Sequence, residues 1–127
     1  MAKKKILVVD DEVDFLELAK ARLEANGYDV ISTSNGNTVL DLIKKEKPDG
    51  VMLDIMMPGM DGLGILKAIR SGNPHLPVFL ITAFSNEERR SIADKFNATG
   101  FILKTNDLQA ELNSINTLID GASKRKA

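Results

Sequence analysis

Five short apolar runs, each followed by a stretch with helical spacing, constrain this chain more than any other feature of its sequence. Ile6-Leu7-Val8-Val9, Val30-Ile31, Val51-Met52-Leu53, Val78-Phe79-Leu80-Ile81 and Phe101-Ile102-Leu103 are uninterrupted by polar residues. Runs of that kind suit strands buried on both faces, as in a parallel sheet. Helical patterns lie between them. Val13, Leu16, Ala19 and Leu23 carry the first, stopped by Asn26-Gly27. Val39, Leu40 and Ile43 start the second, which must finish before Pro48 because proline pushes its predecessor out of the helical region. Leu63, Leu66 and Ile69 make the third, closed by Gly72. Ser85-Asn86-Glu87-Glu88 has the form of a capping box and predicts a fourth helix. Leu108, Leu112, Ile115 and Ile119, spaced four, three and four, mark a fifth. Five such alternations predict an α/β fold, a parallel sheet with helices on both faces.

In sheets of this class ligands bind beyond the carboxyl ends of the strands, where the strand order reverses. The residues ending the runs are therefore the ones to weigh. The first run ends in Asp10-Asp11, the third in Asp54, the fourth in Thr82 and the fifth in Lys104. Taken singly, each has an ordinary explanation: an Asp caps a helix or turn, a Thr ends a strand, a Lys is solvated. All five at the same end of successive strands are harder to read that way. Carboxylates brought together repel, and two unit charges 4 Å apart cost about 4 kcal/mol at an effective dielectric near 20. Protonation or a cation relieves such crowding. The donors are hard oxygens, the chain has no cysteine, and its single histidine, His75, sits between Pro74 and Pro77 in an expected surface loop. Mg²⁺ is the cation that suits such a set.

Together with their neighbours, these strand-end residues form a recognisable combination. Ile6-Leu7-Val8-Val9-Asp10-Asp11-Glu12, Asp54-Ile55-Met56-Met57-Pro58-Gly59-Met60-Asp61-Gly62, Ile81-Thr82-Ala83 and Phe101-Ile102-Leu103-Lys104 resemble the receiver domains of two-component response regulators, the chemotaxis regulators among them. The resemblance runs from about Lys4 to Ile119. It implies a flavodoxin-like, doubly wound sheet of five strands with five helices. It implies that Asp54 is the phosphorylated aspartate and that Asp11 and Asp54 contact the metal directly. Asp10 matches the acid that usually holds the metal through water, and Met56 the position that lends it a backbone carbonyl. Thr82 matches the hydroxyl that bonds the phosphoryl group, and Lys104 the ammonium that pairs with it.

By the same resemblance, the donor is a sensor histidine kinase, a phosphotransfer protein or a small phosphodonor. The output is a protein-interaction face made by the fourth helix, fifth strand and fifth helix. Phe101 matches the aromatic position that turns inward when Thr82 moves; the other reading is a ring permanently in the core. Two features depart from or vary within the pattern. Thr105 stands where the family usually has proline, often with a cis bond; a non-proline cis bond costs about 3–4 kcal/mol, so a trans bond is expected. Phe84, two residues past Thr82, occupies a variable position that governs access to the phosphoryl group.

Composition narrows the remaining options. At 127 residues and 43% hydrophobic content the chain has one domain's worth of core, read as 1–120, with 121–127 a tail or the start of a linker. A net charge of -1 offers nucleic acid no general attraction, and Lys124-Arg125-Lys126 reads as a solvated terminal run. No apolar run approaches the roughly 20 residues a membrane helix needs. The basic start, Met1 to Lys5, precedes only Ile6 to Val9, too short for a secretory signal, so a cytoplasmic location is expected. A dehalogenase-like phosphatase would need a second Asp two residues after Asp54, where this chain has Met56. A flavin or nucleotide binder would want a glycine-rich or hydroxyl-rich first loop, and Asp10-Asp11-Glu12 repels phosphate unless a cation intervenes. The alternative that remains is a pseudo-receiver that only binds proteins, disfavoured by the presence of all five site residues.

Overall fold

The apolar runs pair side by side into one sheet. In the computed structural model, which describes residues 4–55, 62–82, 91, 94, 95 and 97–103, the strands are β1 (Lys5–Val9), β2 (Asp29–Thr33), β3 (Gly50–Asp54), β4 (Val78–Thr82) and β5 (Gly100–Leu103). All neighbours are parallel, in the order β2-β1-β3-β4-β5. The helices α1 (Val13–Ala25), α2 (Val39–Glu46) and α3 (Gly62–Gly72) make the crossovers between successive strands from β1 to β4. This is the flavodoxin-like arrangement, and its strand order reverses between β1 and β3. The fifth expected helix and most of the fourth lie outside the described residues, although Ser91, Asp94 and Lys95 are helical.

Strand alternation divides the core in two. Leu7, Val9, Val51, Leu53, Val78 and Leu80 meet Val39 and Ile43 of α2 and Leu66 and Ile69 of α3. Ile6, Val8, Met52, Phe79, Ile81 and Ile102 face the other way, against Ala19 and Leu23 of α1 and Tyr28. A fully buried side chain of this size contributes about 1.5–3 kcal/mol, so both layers are strong. Every residue of β3 and β4 is buried. Among the described residues no helix is long and apolar enough to cross a membrane.

Local signals set the element ends. At the end of α1, Tyr28 N–H donates to Leu23 O at 3.1 Å and Gly27 N–H to Glu24 O at 3.1 Å. That pair of bonds is a Schellman closure, and Gly27 supplies the φ of 92° it requires. Before α2, a short 3-10 turn (Gly36–Thr38) is held by Asn37 N–H donating to Asn35 Oδ1 and by Thr38 Oγ1 donating to Asn35 O. Helical spacing counts Val13 and Leu40 with their helices' apolar residues, yet they are 61% and 43% exposed. Val13 opens α1 at the sheet's edge, and α2 turns Val39 and Ile43 inward instead.

Candidate functional site

Three of the strand-end residues are both polar and buried. Asp10 is 0% exposed, Asp54 2% and Thr82 0%. Asp10 directly follows β1: its N–H donates to Thr33 O at 3.2 Å, carrying the β1–β2 pairing one step past the strand. Its carboxylate is oriented locally, because Glu12 N–H donates to Asp10 Oδ1 at 2.9 Å in an Asx-type turn. That turn sends the chain into α1 and leaves Asp11 and Glu12 exposed at the mouth of the edge. Carboxylate oxygens of Asp10, Asp11 and Glu12 lie within 4.8 Å of one another.

Register brings Asp54 to the same place. Val9 pairs with Leu53, so Asp10 and Asp54 each follow one member of that pair. Asp54 alternates with Met52 and Asp10 with Val8, which puts both on the α1 face of the sheet. Asp54 pairs with Ile81, and Thr82 is the next residue along β4. Thr82 in turn pairs with Leu103, the residue before Lys104. Phe101 pairs with Leu80 and is half-buried against the layer that contains it, on the sheet face that Thr82 shares. Asp10, Asp11, Asp54 and Thr82 therefore converge at the carboxyl edge, beside the reversal of strand order.

Met56, Phe84, Lys104 and Thr105, with the expected trans bond before Thr105, fall outside the described residues. Glu12 is a member of the acidic cluster that the sequence reading did not single out as a site residue; its adjacency to Asp10-Asp11 is the signal. A second neighbour emerges only in three dimensions. Gly62, the first residue of α3, packs directly on the peptide that leaves Asp54, and a methyl group there would stand 2.5 Å from Ile55 Cα and 2.7 Å from Asp54 O.

Chemically, the edge offers hard anionic oxygens and a buried hydroxyl. A divalent, oxygen-preferring cation fits that donor set, because it neutralises acids that otherwise repel in a poorly solvated place. One buried carboxylate, Asp54, ends a central strand and can serve as an oxygen nucleophile.

Comparison with known proteins gives a consistent result. Residues 6–116 match the family model described as the response regulator receiver domain. The chain is 36% identical over 126 residues to the probable transcriptional regulator ycf27 of Porphyridium aerugineum, covering 97% of this chain and 52% of that protein. The chain spans about half the length of the curated relatives it matches. Among solved structures, a CheY-like response regulator receiver domain protein from Methanospirillum hungatei JF-1 superposes with a TM-score of 0.90 at 26% identity, covering 98% of this chain and 99% of that one. The BeF3-activated N-terminal receiver domain of Klebsiella pneumoniae RstA superposes with a TM-score of 0.86 at 29% identity, covering 91% and 98%.

Proposed function

Since the chain belongs to the response regulator receiver domain family of two-component systems, we propose that it is a phosphorylation switch whose acceptor is Asp54. The observation that carries the proposal is the burial of Asp54 at the carboxyl end of β3, level with the position of Asp10 after β1 and one residue short of Thr82 on β4. An Asp54 carboxylate oxygen attacks the phosphorus of a phosphohistidine or of a small acyl phosphate. The new bond is O–P; the bond that breaks joins phosphorus to the leaving imidazole nitrogen or carboxylate oxygen, which keeps the electron pair. The product is an aspartyl phosphate, an acyl phosphate that water hydrolyses, so the signal clears itself.

Transfer of this kind proceeds through a loose transition state with charge spread over the equatorial oxygens. The residues around Asp54 are suited to stabilising that charge. Thr82 offers its hydroxyl to one oxygen, and Lys104 pairs its ammonium with another. Asp10, Asp11 and Asp54, with the backbone carbonyl of Met56, would hold Mg²⁺. Mg²⁺ supplies fixed positive charge next to the transferring group. The 0% exposure of Thr82 means that it cannot swing towards a phosphoryl group without leaving space behind β4. Phe101, on the same face of the sheet, would fill that space, and the fourth helix, β5 and fifth helix would present the change to an effector.

The domain is a signalling module that assists its own phosphorylation rather than an enzyme with a separate substrate. The curated relatives named as transcriptional regulators support an output in gene control, either through further chain or through a partner protein. The test is incubation with acetyl phosphate and Mg²⁺, read by intact mass. Wild type gains one phosphoryl group and Asp54→Asn gains none. Labelling of Asp54→Asn at the wild-type level would displace the acceptor from Asp54. A folded wild type that neither labels nor binds beryllium fluoride would instead favour the protein-binding pseudo-receiver.

A further inference from the structure

Six residues separate Ile55 from Gly62, and the chain that leaves β3 returns to touch its own point of departure. A Cβ on residue 62 would meet Ile55 Cα at 2.5 Å, Asp54 O at 2.7 Å and the Ile55 carbonyl carbon at 3.2 Å. All three are backbone atoms, so no side-chain rotation can make room. β3 cannot give way easily either. Its residues are all buried, Asp54 is paired with Ile81, and Ile55 N–H donates to Ile81 O at 3.2 Å. On the other side, Leu66 and Ile69 fasten α3 into the core at 0% exposure. Gly72, at the far end of the same helix, has nothing within 4 Å of the corresponding position. Of these two α3 glycines, only the one that touches the site lacks room for a Cβ.

We propose that Gly62 is a positioning residue for the reaction at Asp54: its bare α-carbon lets α3 seat against the Asp54–Ile55 peptide and fixes the direction of the Asp54 carboxylate. The proposal rests on the reading of Asp54 as the acceptor. The physical argument is one of sensitivity. An oxygen nucleophile must lie in line with the bond it breaks, and displacements near 1 Å can cost about a hundredfold in rate. A folded core can absorb the same displacement for a modest loss of stability by letting one helix end back away. Any side chain at 62 should therefore harm phosphoryl transfer out of proportion to its effect on folding. Helix propensity alone predicts the reverse, since alanine is favoured over glycine in helices by about 1 kcal/mol.

The test compares Gly62→Ala with Gly72→Ala in the full chain. Four quantities are measured: melting temperature, Mg²⁺ affinity by calorimetry, labelling rate with acetyl phosphate, and the NMR shifts of the Asp54 carbonyl and Ile55 amide. The expected result is a folded Gly62→Ala with displaced Asp54 and Ile55 signals, Mg²⁺ affinity at least tenfold weaker and labelling at least tenfold slower. Gly72→Ala should match wild type in NMR signals, Mg²⁺ affinity and labelling rate, with a melting temperature equal to or above wild type. A folded Gly62→Ala that labels and binds Mg²⁺ within twofold of wild type overturns the proposal, as does a loss equalled by Gly72→Ala. If Gly62→Ala does not fold, the wild type decides: the Gly62 amide must shift with the Asp54 carbonyl at one midpoint during Mg²⁺ titration, and a silent Gly62 overturns the proposal. Failure of the acceptor reading looks different, because wild type itself then stays unlabelled. In that case displaced Asp54 and Ile55 signals in Gly62→Ala uphold Gly62's hold on the peptide, and unmoved signals reject it.

Discussion

At position 10 the carboxylate is already partly committed, since its Oδ1 accepts the Glu12 N–H that turns the chain into α1. Asn would preserve that bond while removing the charge, whereas Ala would remove both. Asp11 stands exposed next to it and shows no comparable bond to the loop's backbone among the described residues, so its oxygens are open to an ion. The difference predicts unequal contributions to cation binding. Asp11→Ala should weaken Mg²⁺ at least tenfold, a loss of about 1.4 kcal/mol, while Asp10→Asn should weaken it less. Calorimetric or NMR titration in the absence of phosphodonor distinguishes them. An unchanged affinity in Asp11→Ala would put the ion elsewhere, and a larger loss in Asp10→Asn would reverse their order. Asp10, Asp54 and Thr82 were legible as strand-end residues because each terminates an apolar run. The Asx turn was not, because an Asp before a helix has several possible local partners.

Arg70, near the end of α3, shows why an element can be legible while its anchoring is not. Leu63, Leu66 and Ile69 mark the helix by spacing alone, but nothing in that pattern says where a neighbouring arginine will reach. Its Nε donates to Asn97 O at 2.8 Å, and its Nη1 to Leu76 O at 2.6 Å and Asn73 O at 3.1 Å. These bonds join the end of α3 to the lead-ins of both β4 and β5. Thr99 completes the junction: its N–H donates to Val78 O at 2.8 Å, and its Oγ1 accepts the Val78 N–H at 2.9 Å. Burial lowers the guanidinium's pKa from its ordinary value without depriving it of charge at neutral pH. Removing it would leave three carbonyls short of a donor, so Arg70→Ala should cost about 2 kcal/mol in urea denaturation. Lys carries its charge at a point and cannot span the fork, so Arg70→Lys should recover less than half of that. Equal stability of Arg70→Ala and wild type would reduce the junction to a surface contact. The strands divide in the same way. β3 and β4 were legible because burial on both faces demands continuous apolar sequence. β2, at the sheet's edge, extends to Asp29 and Thr33 through backbone pairing with β1, which the Val30-Ile31 run does not announce.

For the whole molecule, two well-filled core layers support an edge that crowds negative charge. Asp10 and Asp54 are buried at adjacent strand ends, with Asp11 and Glu12 beside them. Without a cation such an arrangement opposes folding, because like charges held close together repel one another where little water screens them. Replacing Asp54 by the near-isosteric Asn removes one buried charge and keeps the shape. In EDTA, Asp54→Asn should therefore be more stable than wild type by about 1 kcal/mol, which for a domain of this size raises Tm by roughly 3–6 °C. Mg²⁺ should narrow the gap. Binding at ten times Kd stabilises the wild type by about 1.4 kcal/mol, and the variant, having lost a ligand, should gain less. Differential scanning calorimetry of both proteins, with EDTA and then with Mg²⁺, measures the crossing directly. If Asp54→Asn melts below wild type in EDTA, the carboxylates are not in conflict at this edge. If both proteins gain equally from Mg²⁺, the ion binds without Asp54. A gain in EDTA that shrinks or reverses with Mg²⁺ is the behaviour expected if Asp54 helps to hold the ion at a cost in stability.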